Sequence, residues 1–169
     1  MVKNVIWTVV FAFVAAVLQS TLLSHIVLGG VRLRPDLVLG IVVYVAYVNG
    51  LMTGQVSGFF SGVTLDLISA APLGLNALVR TLIGALAGLI RGKVILDFFL
   101  VPMVLCALAT LAKAALLFPL SLIFQGAVPA YPLAAPTLWA ELALNTLSAP
   151  FLFAFLKRFN SLLVGKGAK

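Results

Sequence analysis

From Val5 to Leu28 the chain carries no Asp, Glu, Lys or Arg, and comparable apolar runs recur almost to its end. A stretch of about 20 apolar residues is long enough for a helix to cross a bilayer. In hydrocarbon every backbone polar group must be satisfied within the chain, so only helices and closed barrels can span it. The runs here are continuous rather than alternating, which selects helices. Six spans fit the pattern, at about 5–28, 36–49, 52–70, 75–91, 95–124 and 134–157. With 169 residues, 63% of them hydrophobic and 9% charged, the chain is expected to be an all-α integral membrane protein. The expected form is one polytopic domain over 1–169, a bundle of six transmembrane helices.

Punctuation residues set the span ends. Pro35 suits a first helical position for the second span, and Asn49-Gly50 marks the turn into the third. The fifth run is too long for a straight crossing, and Pro102 and Pro119 predict kinks or a broken outer end. Gln125–Pro136 is the longest expected connection and includes Tyr131. Basic residues near span ends orient the bundle. With both termini inside, Lys3, Arg91, Lys93, Lys157, Arg158, Lys166 and Lys169 are cytoplasmic, and only Arg32 and Arg34, with Asp36 beside them, lie outside. The net charge of +7 therefore belongs to topology and to anionic lipid headgroups. No basic face interleaved with aromatics supports nucleic-acid binding. Lys3 followed by an apolar run resembles a signal sequence, but the run is too long for a cleavable one and predicts an uncleaved first span.

The stretch Leu65–Arg80 is a Pro/Gly corner between two apolar runs, with an acid and a base at matching distances from the turn. Both residues continue glycine stripes. Gly54, Gly58 and Gly62 lead at steps of four to Asp66; Gly84, Gly88 and Gly92 lead back through Arg80 to Asn76. Steps of four drift by about 40° each in a helix of 3.6 residues per turn. Such winding rows of small residues are the packing surface of close membrane-helix crossings. Asp66 and Arg80 are thus expected to face protein. Counting from the turn puts them in the outer half of the membrane, at the level of Lys113, Glu141, Gln19, Asn76 and Asn145. Two acids and two bases in one layer give zero formal charge, the natural way to keep such groups in a membrane. The layer is either a clasp between helices, with Asp66 and Arg80 as partners, or an outward-facing pocket or docking socket.

Little else carries chemistry. His25 is a lone, interfacial histidine, and Trp7, Trp139, Tyr44 and Tyr47 suit interface anchoring or packing. Ser57, Ser61 and Ser69 lack a His–Asp partnership. Cys106 stands alone, which excludes an internal disulfide and a Cys-built metal site. No enzyme activity, cofactor or metal is expected.

Several of these features together resemble the bacterial rod shape-determining MreD family. They are Arg34-Pro35-Asp36-Leu37 opening the second span, the glycine-rich third span running into Leu65-Asp66-Leu67, and Pro72-Leu73-Gly74-Leu75-Asn76-Ala77-Leu78. The strong part covers roughly residues 34–92. The resemblance implies a non-enzymatic inner-membrane component of the cell-elongation machinery. It implies contact with MreC, through MreC's transmembrane helix and adjacent segment, beside RodA, a class B penicillin-binding protein and MreB. It also implies an architecture similar to the substrate-binding S-components of vitamin transporters. Two functions compete on this footing. One is a scaffold whose glycine-packed bundle offers MreC a groove at Gly58 and Gly62. The other is a small-molecule-binding or transport subunit that uses the polar layer to orient a ligand.

Overall fold

The structure, a computed structural model, describes residues 1–21, 27–28, 31–32, 35–69, 71–92, 99–124, 128 and 135–165. His25, Arg34, Lys93, Tyr131, Lys166 and Lys169, singled out above, lie outside the described residues. Among the described residues the chain forms seven α-helices: α1 (Val2–Thr21), α2 (Leu37–Asn49), α3 (Leu51–Ile68), α4 (Leu75–Leu89), α5 (Leu100–Ile123), α6 (Pro136–Lys157) and α7 (Asn160–Leu163). A two-residue ladder, β1 (Val27–Leu28) antiparallel to β2 (Val31–Arg32), is a minor addition to a fold that is all-helical as expected. Its first strand falls at the end of what the apolar run suggested as the first span, and α1 is described over Val2–Thr21.

By length and composition α1, α5 and α6 are able to cross a membrane, while α2 and α4 are apolar but shorter. The helix α3 is built inside-out. Its buried face is Thr53, Gly54, Ser57, Gly58, Ser61, Gly62 and Asp66, whereas Phe59 and Phe60 are about half exposed. A water-soluble helix buries its large apolar residues; small residues inside and phenylalanines outside are the arrangement of a helix packed in lipid.

At the centre stands α2. Every residue from Val38 to Tyr47 is buried, because α2 packs against α1, α3, α4, α5 and α6. A helix apolar all round is one with neighbours all round. It begins two residues later than Pro35 suggested. Asp36 is its N-cap, and Asp36 Oδ1 accepts a hydrogen bond from the Leu39 N–H at 3.0 Å. A capping carboxylate satisfies an amide that the first turn otherwise leaves orphaned, which is why the helix starts there.

The most extensive contact in the molecule joins α3 to α4. A Cβ on Gly54 would collide with the Gly84 carbonyl, one on Gly58 with the Arg80 carbonyl, and one on Gly62 with the Ala77 backbone. Gly88 lies in the same way against Gly50 and Leu51. The glycines are consumed within the chain, which leaves none of these four as a groove for another protein. Gly92 is different and corrects the stripe. It lies beyond the end of α4 with φ +74°, and a Cβ there would meet nothing. Its left-handed backbone turns the chain after the helix, where glycine carries no steric cost.

Candidate functional site

The corner after α3 needs a residue with positive φ, and Gly74 supplies it at φ +93°. Gly74 is also the N-cap of α4 and has no side chain with which to cap it. Asp66, reaching over from α3, does that work. Its carboxylate accepts from the N–H groups of Gly74 (2.9 Å), Asn76 (3.0 Å) and Ala77 (3.2 Å), and from Asn76 Nδ2 (2.8 Å). Three amides and the positive end of the helix dipole hold this carboxylate.

Arg80, one turn further along α4, is fully buried. Its Nη1 donates to Asn76 Oδ1 at 2.7 Å. Its Nη2 donates to both oxygens of Asp36, at 2.7 and 2.8 Å. The carboxylate partner of Arg80 is thus Asp36, not Asp66; Asn76 stands between the two. The expected clasp across the corner is corrected for a physical reason. Asp66 is fully engaged by backbone amides, and the α2 start brings a second carboxylate to the guanidinium.

The same Asp36 meets α5 and α6. Lys113 Nζ donates to Asp36 Oδ2 at 2.8 Å and to Glu141 Oε1 at 2.6 Å. The Asp36 N–H donates to Asn145 Oδ1 at 2.7 Å, and Asn145 Nδ2 donates to Thr110 Oγ1 at 3.0 Å. From α1, Gln19 Oε1 accepts from the Leu37 N–H at 3.2 Å. One bonded chain therefore runs Asp66–Asn76–Arg80–Asp36–Lys113–Glu141, with Asn145 braced against Asp36. The layer holds three acids and two bases rather than a balanced four. Asp36, Arg80, Lys113 and Glu141 cancel, and the extra charge on Asp66 faces the α4 N-terminus. Asp36 escaped the sequence reading because the neighbouring Arg32 and Arg34 suggested a solvent-facing cluster. An acid just before an apolar run is nevertheless a capping signal, and that signal was present.

This layer forms part of the wall of a cavity of about 390 Å³. Asp36, Arg80, Lys113 and Glu141 line one side, and Gln19, Ser20 and Asn76 add uncharged polar groups. Ala16, Leu65, Ile68, Leu75 and Leu117 make the apolar remainder. The lining draws on α1, the cap of α2 and α3 through α6, so the cavity lies in the bundle at the end where α3 turns into α4. Its size falls within the range of small-molecule sites. Arg80 Nε is buried without a hydrogen-bond partner, and so are Ser57 Oγ and Ser61 Oγ on the glycine face of α3.

The opposite end, where α1 meets the segment after α7, is tied mainly by neutral amides, with one basic side chain, Arg91, beside them. Asn49 Nδ2 donates to the carbonyls of Val45 and Leu163, both at 2.9 Å. Asn49 Oδ1 accepts from Asn4 Nδ2 at 3.2 Å and from the Gly165 N–H at 2.8 Å. Arg91 Nη1 donates to the Asn49 carbonyl at 2.8 Å. Tyr44, packed edge-on against Phe153, donates its hydroxyl to Asn160 Oδ1. Trp139 is exposed, and Trp7 is just over one-third exposed. Among the described residues no group of His, Cys, Asp and Glu is arranged to hold a metal ion.

Compared with known proteins, the chain matches the family model of rod shape-determining protein MreD over residues 1–159. Neither a curated protein nor a solved structure gave a match. A helix α3 with small residues inside and phenylalanines outside, a polar layer at the α3–α4 corner, and a family match over nearly the whole length agree: the chain belongs to the MreD family, a membrane protein family of rod shape determination.

Proposed function

We propose that this protein is a non-enzymatic scaffold of the bacterial cell-elongation machinery. In this reading it crosses the inner membrane six times, with both termini cytoplasmic, and binds the transmembrane helix and adjacent segment of MreC. RodA, a class B penicillin-binding protein and MreB are the wider assembly in which that pair works. The observation that carries the scaffold reading is the closed use of charge in the bundle. Asp36 ties α2 to Arg80 of α4 and to Lys113 of α5, and Lys113 ties α5 to Glu141 of α6. Such a layer fixes helix positions relative to one another, so that the outer faces present a defined surface.

The glycine stripes are occupied internally, so MreC needs another seam. Membrane helices approach each other closely where small residues line the contact. Between α4 and α5 lies a cleft of about 210 Å³ whose walls include Ala87, Ala109 and Ala112. These two helices pack less closely than α3 with α4 or α5 with α6. The apolar groove between α1 and α3 is walled by Met1, Val5, Ile6, Val9, Val56 and Phe60 among others, with no small residue. The α4–α5 seam is therefore the docking site in this reading. The test is recovery of MreC with correctly inserted variants. Ala112→Trp is expected to lower recovery and Val9→Trp to leave it unchanged. Normal recovery with Ala112→Trp would remove the seam from the account.

A further inference from the structure

The cavity at the α3–α4 corner asks for more than a mechanical clasp. A buried ion pair contributes little net stability, and apolar residues of similar volume often hold helices as well or better. Inside a membrane the cost of keeping such groups rises. Yet Asp36, Arg80, Lys113 and Glu141 sit on a cavity wall rather than in a filled core. They are unequally accessible. The Lys113 side chain is 13% exposed, against 1% for Arg80 and 6–7% for Glu141 and Asp36. Arg80 is the closed end of the layer, and Lys113, with Glu141 bonded to it at 2.6 Å, is the part an incoming molecule meets first.

We propose that this cavity is a binding site for a zwitterionic small molecule with an apolar body, of amino-acid or short-peptide type. The charge balance selects the class. Among the described residues the four charges on the cavity wall cancel, so a molecule with a net charge would enter without a counter-ion there, and burying an unpaired charge is costly. A zwitterion adds none. Its carboxylate meets Lys113 and its ammonium meets Glu141, so the pair now closed at 2.6 Å is exchanged two for two. Gln19, Ser20 and Asn76 stand on the same wall, and Ala16, Leu65, Ile68, Leu75 and Leu117 receive the apolar body. This goes beyond the scaffold reading and is independent of it.

The test is thermal unfolding of the full-length protein in detergent with defined probes: L-leucine, L-phenylalanine, L-tryptophan and the dipeptide leucyl-leucine. Phenethylamine and 3-phenylpropionate serve as analogues carrying one charge each. At least one zwitterion is expected to raise the melting temperature in a saturable way, with each single-charge analogue binding about tenfold more weakly or worse. The double variant Lys113→Ala/Glu141→Ala leaves no lone charge and is expected to lose the shift. Leu65→Trp, which fills the cavity from its apolar side without touching the ions, is expected to lose it too. The proposal is overturned if no zwitterion shifts the wild type, if a single-charge analogue binds equally well, or if both variants keep the shift. MreC recovery on the same preparations reports separately on the scaffold.

Discussion

At the α3–α4 corner the helices are joined through Asp36, Arg80, Lys113 and Glu141, whereas at the terminal end they are joined through Asn4, Asn49, Asn160 and Tyr44. Both ends link helices far apart in sequence, but they fail differently. An amide that loses one partner keeps its neutrality and is able to turn to water or to a neighbouring carbonyl. A buried ion that loses its partner keeps its charge. The ionic end is therefore close to all-or-none, and the amide end is graded.

The sharpest way to break that contrast is Asp36→Ala. It strands Arg80, leaves Lys113 with Glu141 as its carboxylate partner, and removes the α2 cap, and it is expected to cost about 3–5 kcal/mol. The measurement is folded yield and unfolding midpoint in detergent. Adding Arg80→Ala should recover part of the loss, and by more than Arg80→Ala does for Asp66→Ala. Equal coupling for the two carboxylates would contradict the pairing described here. Gly58→Leu comes next, at about 3 kcal/mol, because the new side chain meets the Arg80 backbone rather than a movable side chain. A stable, normally folded Gly58→Leu would mean that α3 and α4 are not in backbone contact. At the terminal end Asn49→Ala is expected to cost only about 2 kcal/mol despite removing every bond its side chain makes. A loss as large as that of Asp36→Ala would erase the distinction between the ends. The smallest effect is Tyr44→Phe, at about 1 kcal/mol, since the ring still packs on Phe153.

What the sequence discloses follows the range of each interaction. The α3–α4 contact is local, and its glycines repeat at the spacing of the contact itself, so the stripe is visible in a line of letters. The helix runs are visible for the same reason. The choice of partner for Arg80 is not, because Asp36 lies 44 positions away and comes near only after α2 threads the middle of the bundle. Asn49 was equally opaque. Next to Gly50 it spells a turn, and the turn is there, but its amide also gathers Asn4, Leu163 and Gly165 from both ends of the chain. Gly92 carries the opposite lesson, since a spacing of four continues through it while the helix does not.

The order in which the ionic layer is bonded has a consequence for how the chain is made. Synthesis proceeds from the N-terminus, and early segments organise before later ones exist. Once residue 80 has entered the membrane, Asp36 already has Arg80, and Asp66 already has the amides that open α4. The remaining charges then arrive on adjacent helices, Lys113 on α5 and Glu141 on α6, able to neutralise each other as a hairpin before they meet Asp36. Biogenesis can thus proceed in two instalments, four helices and then two, and each completes its own acid–base pair: Asp36 with Arg80 in the first, Lys113 with Glu141 in the second.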